Sequence, residues 1–599
     1  MKADITPACN SSASRVFSSG RVLARGRLGK PINQTPPSVN SESIIGIASR
    51  NKSFAAGFAG LLALGAALAL SAAADETPAT AKILQRALSN GSFARWSAPK
   101  RHAAEQAVMQ RITDDPDAGE AGRLASQLKL AEHQAELVPS QQHPLVLTDP
   151  LQRLRYHVNH AIEMARAAED PKYAAPASKN FPGAVAATVL RDPAAKVTIV
   201  PRTGRQGLWD EDETYFRLHP TGYYAPPGET ITITVPAAWV GKAQVMIGVH
   251  RDGPAGSGDF DESGLHRDGF DLTTQADLTE VETRVSSPYG GPVFLCLPNI
   301  DQPEQPFTVT VGGAVRAPRF KAGVTSVDEW RKTLRYLPVP WAEIESDSLL
   351  ISLPSARIRN LDDPKAVTDF WDEVLAADAE LACIPKHRKV VEHMVVDIDI
   401  VSGYMVSTTD RVTVPDDDSC AMMLDVAKLR KEGSWGHFHE LGHRHQFDAL
   451  DFKGTEEVTV NLYTLYVYQK VLHLDPYAAR HEDDWSQKAV AKNIKAYLAK
   501  PSFKTWQDDP FLALSFYMPI LDEFGWKAIL ELHRGYRAIP PADYPTTDAG
   551  KRDLFYQHLS RATGRDLAGY FKRWAIPIRK SALLKPEAGL KPWLPADWK

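Results

Sequence analysis

The chain has 599 residues, 43% of them apolar and 24% charged, with a formal net charge of −4. That length exceeds what one hydrophobic core organises, so several domains are expected, with ordinary globular composition. There is no overall basic field to attract nucleic acid, and no nucleic-acid partner is expected.

Residues 1–50 are rich in Ser and Arg, with no acid between Asp4 and Glu42. This composition mimics a transit peptide or an upstream start codon, and predicts a disordered extension. Ser53 to Ala74 holds no charged residue, follows Arg50 and Lys52, and exits through "AAADE". Basic flank, apolar core and small-residue exit over 51–74 predict a secretory signal, with an uncleaved membrane anchor as the alternative. The expected location is secreted or cell-envelope, as suits a bacterial exported protein, with membrane contact only if the segment stays uncleaved.

Residues 75–195 are expected to form a helical domain. "RHAAEQAVMQRI", "AGRLASQLKLAEHQAEL" and "DPLQRLRYHVNHAIEMARAAED" carry apolar residues at three-and-four spacing. The texture changes near residue 196. "KVTIVPR", "ETITITVP", "QVMIGVH", "GGPVFLCLP", "FTVTVGG" and "VRAPRF" are short strand-like runs broken by Gly and Pro. They predict a β-sandwich over 196–322. From 323 to 580 the pattern is mixed, then mainly helical, and 581–599 reads as a tail. The predicted fold class is therefore multidomain α+β: a helical N-terminal region, a β-sandwich, and a catalytic domain with a mainly helical C-terminal part. Four cysteines are present, Cys9, Cys296, Cys383 and Cys420. They make no disulfide framework; one bridge from Cys383 to Cys420 and three buried thiols in the mature chain are the alternatives.

The chemistry concentrates in "HFHELGHRHQ", His437 to Gln446. On a helix, positions i and i+4 lie about 40° apart, so His439 and His443 can share one ion. Glu440 falls beside them, which gives the H-E-x-x-H arrangement of two imidazoles on zinc and a carboxylate next to water. By the same angles His437 and His445 point away, and are expected at the surface or behind the ligands. A five-residue motif also arises by chance, so a third ligand is the test. Gln446 and Ala449 stand where a metzincin has Gly and His, which removes that class. Downstream, "GTEEVTVNLYTLYVYQ" offers Glu456 and Glu457. Glu457 is preferred because Asn461 follows it at i+4 and can buttress a ligand; the same acids also read as the first turn of a helix.

With "EVTVNLYTLY" following, these residues resemble the M60-like (enhancin-like) metallopeptidases, whose pattern is H-E-x-x-H with a downstream glutamate. The resemblance covers about residues 200–580, with Arg444 where the family usually has Asn or a similar residue. It implies a zincin-like catalytic domain of gluzincin type over 323–580, one catalytic Zn2+ held by His439, His443 and Glu457, and Glu440 activating the zinc-bound water. It further implies an endopeptidase acting on extracellular glycoproteins, mucins especially. An oxyanion donor is expected among Tyr404, Tyr463 and Tyr517, and the β-sandwich is a candidate glycan-binding surface. Two alternatives stand beside it: a glycan- or surface-binding protein with an inactive peptidase-like domain, and a general gluzincin indifferent to glycans.

Overall fold

The computed structural model describes residues 77–598, except 115–119, 202–215, 257–262, 299–304, 386–390, 409, 448, 480–484 and 586–588. The expected extension 1–50, the expected signal 51–74 and Cys9 lie outside the described residues.

Helices α1 (Thr77–Ser89), α2 (Ala98–Asp114), α3 (Glu120–Gln127) and α4 (Pro150–Glu169) open the described chain. Their spaced apolar residues meet in one core, with Leu84, Val108, Leu124 and Leu154 at 0–1% exposure. Asp149 caps α4 by accepting the Gln152 N–H, and Pro150 occupies the first turn, where no N–H is needed. Leu145 and Leu265 exchange both backbone hydrogen bonds, which ties the helical region to the loop ahead of strand β5 of the next domain.

Nine strands follow: β1 (Ala195–Ile199), β2 (Arg217–Ala225), β3 (Ile231–Thr234), β4 (Gln244–Ile247), β5 (Thr274–Asp277), β6 (Glu282–Val285), β7 (Gly291–Leu297), β8 (Phe307–Gly312) and β9 (Val315–Arg316). They form two sheets, ordered β1-β8-β3-β6 and β5-β4-β7-β2-β9. Alternation explains the packing: Ile231 and Ile233 point inward while Thr232 and Thr234 stay half-exposed. They meet Val245, Leu295 and Val311 in a core between the sheets. The "VRAPRF" run divides. Val315–Arg316 ends this domain, whereas β10 (Arg319–Lys321), expected with the sandwich, pairs in parallel with the next sheet, Arg319 opposite Glu343. The change of partner falls at Pro318, which cannot donate to a ladder.

That next sheet has six strands in the order β10-β11-β12-β13-β15-β14. It comprises β11 (Trp341–Glu345), β12 (Leu349–Pro354), β13 (Glu392–Asp397), β14 (Val406–Ser407) and β15 (Val412–Pro415). Strand β13 is buried at every residue, because both faces are covered. Met246 and Phe294 of the preceding domain pack with Leu350 and Val395 on one side. On the other lies helix α5 (Pro364–Leu381), capped by Asp363, with Phe370 and Trp371 fully buried. The run "DIDIVSGYMVS" is strand only at Asp397 and again at β14; Ile398 to Met405 bends away between them. β14 is an edge strand, antiparallel to β15. After two short helices, Asp418–Leu424 and Val426–Glu432, come helices α6 (Trp435–His443) and α7 (Glu456–Lys470), and the helical remainder closes around them. The expected tail is packed: Lys591–Pro592 pairs with Arg565–Asp566, and Trp598 stacks on Tyr570 at 5.4 Å.

The Cys383–Cys420 bridge is not formed. All three described cysteines are free thiols, with Cys296 and Cys420 buried. No helix among the described residues is long and apolar enough to cross a membrane.

A buried polar cluster joins α4 to the β-rich domain. Tyr156 donates to Asp268 at 2.6 Å, and Glu163 accepts from Asn159 at 2.9 Å. Burial, reinforced by Asp268, pushes the Glu163 carboxyl up to about 7. A folded value above the unfolded one means that this group's stabilisation is complete below about pH 4.5 and is lost as pH rises through 7. Glu163→Gln is therefore expected to flatten that part of a melting-temperature profile against pH; a profile identical to wild type would remove Glu163 from the account.

Candidate active site

Helix α6 begins after Ser434, and its register turns one face toward α7. Phe438 and Leu441 are fully buried and anchor the helix in the core. Gly442 lets the two helices touch: a Cβ there would lie 3.0 Å from the Val460 carbonyl oxygen and 3.1 Å from Tyr463 Cβ. This close approach brings the first turn of α7 against the histidines. His439 Nε2 and His443 Nε2 stand 3.1 Å apart, Glu457 Oε2 lies 3.1 Å from the first, and Glu457 Oε1 lies 3.7 Å from the second. Donors about 2.0–2.1 Å from a tetrahedral ion are separated by about 3.3 Å, so these three side chains fit zinc. Among the described residues no other group of three His, Cys, Asp or Glu side chains is so arranged. Glu457 is 59% exposed on the solvent side, which leaves a path to the site.

The remaining ring nitrogens are held. His439 Nδ1 meets Asn461 Oδ1 at 2.8 Å, and Asn461 Nδ2 donates to the Glu457 carbonyl at 2.8 Å. His443 Nδ1 meets Gln446 Oε1 at 2.6 Å, and Gln446 Nε2 donates to Thr459 Oγ1 and the Glu456 carbonyl, each at 2.7 Å. Both contacts make Nδ1 the donor and free Nε2 for a metal. Asn461 sits where the sequence reading put it. Gln446 does not: the motif comparison used it only to reject a metzincin, and its one signal is a polar side chain three residues beyond a histidine. Glu456 contributes its carbonyl, not its carboxylate. Asn461→Ala is expected to weaken zinc binding about 10–100-fold, checked by competition against a chelating dye.

The electrostatics separate the roles. Burial, then the neighbouring His439, holds the His443 imidazole down at about 4, neutral and available as a ligand at pH 7. The nearby His439 and His443 imidazoles outweigh burial and keep the Glu457 carboxyl below its usual value, ionised. Burial pushes Glu440 up to about 7; His439 and the Ser407 N–H pull the other way. That N–H belongs to β14, the edge strand that packs against α6. Arg444, the departure from the family pattern, is 1% exposed and donates to Glu392 at 2.6 Å and to the Thr408 carbonyl. It faces the sheet, away from the ligand atoms.

Other expectations are redistributed. His437 and His445 are fully buried, not at the surface; His437 bonds Ser434 Oγ at 2.7 Å and His445 the Leu441 carbonyl at 2.7 Å. Tyr463 is in the core, its hydroxyl donated to the His445 carbonyl at 2.7 Å. Tyr517 is 2% exposed among Phe516 and Phe555. Neither is placed to serve an oxyanion, because each ring closes the core beneath the site. Tyr404 is 43% exposed, two residues ahead of β14, and its hydroxyl bonds Asp417 at 2.7 Å and Ser419 at 2.8 Å.

A helix presenting two histidines to a glutamate on the following helix, beside a mixed sheet with an antiparallel edge strand, defines a metallopeptidase-like architecture. The family comparison agrees. Residues 313–575 match the model of peptidase M60, enhancin and enhancin-like proteins, and residues 192–312 match that of the N-terminal domain of M60-like peptidases. Over 192–575 the chain belongs to the M60-like peptidase family. Among curated relatives it is similar to mouse TRPM8 channel-associated factor 3, 29% identical over 379 residues, 62% of this chain and 39% of that protein. It is also similar to the zebrafish TRPM8 channel-associated factor homolog, 31% identical over 390 residues, 64% of this chain and 40% of that protein. The chain thus spans about two fifths of the length of these relatives. A conserved protein of unknown function from Bacillus anthracis shares the fold, with a TM-score of 0.55 at 21% identity over 68% of this chain and 80% of that one.

Proposed function

We propose that this protein is an exported zinc endopeptidase that cleaves peptide bonds in glycosylated extracellular proteins of the mucin type. The observation that carries the reading is the convergence of His439, His443 and Glu457 at ligand spacing, with Glu440 next to His439 on the same helix. His439, His443 and Glu457 would hold a zinc ion, which would supply Lewis-acid polarisation of the scissile carbonyl and lower the pKa of a water. Glu440 would accept a proton from the attacking water and pass it to the leaving amine, a task suited to a carboxyl that burial keeps near neutrality. Asn461 and Gln446 hold the two imidazoles in the ligating tautomer. β14 offers backbone groups to an extended substrate, which orders the scissile bond over the site. Tyr404 is the tyrosine left as oxyanion donor, once it turns from Asp417.

Glycan dependence is the finer part of the reading, with the β-sandwich as the surface that holds sugars. The test is cleavage of a mucin-type glycoprotein before and after enzymatic deglycosylation, with casein alongside. Cleavage that disappears on deglycosylation is expected. Equal cleavage of all three would make this a general gluzincin. The names of the curated relatives favour a second reading, partner binding without cleavage. Glycoprotein retained on the immobilised protein, with no fragments at full zinc occupancy, would establish it.

A further inference from the structure

The edge strand that packs against helix α6 is held from outside its own domain. Loop 250–254 leaves β4 of the β-rich domain and reaches the β14–β15 hairpin. One oxygen of Asp252 accepts from the Arg411 guanidinium, and the other accepts from Thr413 Oγ1 at 3.1 Å. Arg251 donates to Asp410 at 3.2 Å, and Arg411 donates to the same carboxylate at 2.6 Å. From the opposite side Arg444, the residue after His443, donates to the Thr408 carbonyl. The hairpin is thus clamped between the β-rich domain and the end of the candidate metal helix.

β14 has little else to fix it. It is two residues long and pairs only with β15, Val406 opposite Thr413 and Ser407 opposite Val412. The pairing partners are therefore the residues that Asp252 holds or their immediate neighbours. Two of the clamp's arginines are buried, Arg411 at 5% exposure and Arg444 at 1%. Burial alone would raise the Asp410 carboxyl; Arg411, Arg251 and Arg444 outweigh it and hold it at about 2. Buried, charge-assisted bonds of this kind fix geometry more closely than exposed ones.

We propose that Asp252 is a positioning residue of the peptidase site: through Arg411 and Thr413 it sets the place of β14 against helix α6, beside Glu440. The β-rich domain is then part of the working site and not an appended module. This rests on the reading of Glu440 as the general base. The effect expected is large, because a displacement of about 1 Å at a catalytic group costs about 10²-fold in rate.

The test compares the full-length zinc-loaded protein with Asp252→Ala, Thr413→Val and Arg191→Ala. Thr413→Val deletes one bond to Asp252 and keeps the shape, so it serves if Asp252→Ala does not fold. Arg191→Ala breaks a surface ion pair with Glu229 and controls for general loosening. Two quantities are read well below the melting temperature: deuterium uptake by peptides spanning 404–412, and cleavage of the glycoprotein per bound zinc. Asp252→Ala is expected to raise uptake there and to lower kcat about 10–100-fold at unchanged zinc content, with a smaller change of the same sign for Thr413→Val. The Arg191 variant should match wild type in both. Unchanged uptake, or raised uptake with unchanged kcat, would overturn the proposal and leave Asp252 as a structural staple. If the wild type cleaves nothing, the peptidase reading fails by itself, and uptake alone decides whether Asp252 holds the hairpin.

Discussion

Glu440→Gln protein is expected to bind zinc like the wild type and to lose cleavage by about 10²–10⁴-fold, the range of a positioned general acid–base group. The substitution is chosen for shape. Glutamine keeps the length and shape of the side chain and leaves His439, His443 and Glu457 untouched. What it removes is the proton-carrying function of a carboxyl 8% exposed and held near neutrality by burial. Cleavage rates and zinc content measured together check it. Cleavage retained at full zinc occupancy would take the base role away from Glu440 and leave the metal assignment intact.

The second large effect concerns Glu457. Glu457→Ala is expected to weaken zinc binding by more than the about 10–100-fold ascribed to Asn461→Ala, since a ligand is lost and not only its support. Fold stability without metal should change little, because the side chain is 59% exposed and the N-cap of α7 is Thr455, not Glu457. The two effects separate in thermal melts. Wild type should melt at higher temperature as zinc is added and fall back with a chelator, following the mass-action rule for a ligand of the folded state. Glu457→Ala should show neither shift at the same zinc concentration. A normal zinc-dependent shift in the variant would place the third ligand elsewhere, and Glu456 would be examined next.

Much of this site was legible because helical geometry is local. The i, i+4 spacing of His439 and His443, and of Glu457 and Asn461, fixes which side chains share a face before any tertiary contact is known. Strand alternation in "TITITV" was readable for the same reason. What the sequence hid depends on distant partners. Arg319–Lys321 has the texture of a sandwich strand, and only its pairing with β11 assigns it to the other sheet. His437 and His445 point away from the ligands as the helix angles require, but burial on that side follows from Trp371 and Tyr463 packing beneath α6. Tyr463 and Tyr517 were plausible oxyanion donors by residue type alone; their positions in the core come from helix packing that no spacing reveals. Gln446 and the Asp252–Arg411 contact join residues 3 and 159 positions apart, and only the second is beyond any local reading.

The most direct test of the account is zinc stoichiometry and glycoprotein cleavage measured on the same samples of wild type, Glu440→Gln and Glu457→Ala, with and without a chelator. The account predicts one zinc per chain in the first two, none retained by the third, and cleavage by untreated wild type alone. Zinc bound equally by all three, or cleavage that survives complete removal of the metal, would contradict it.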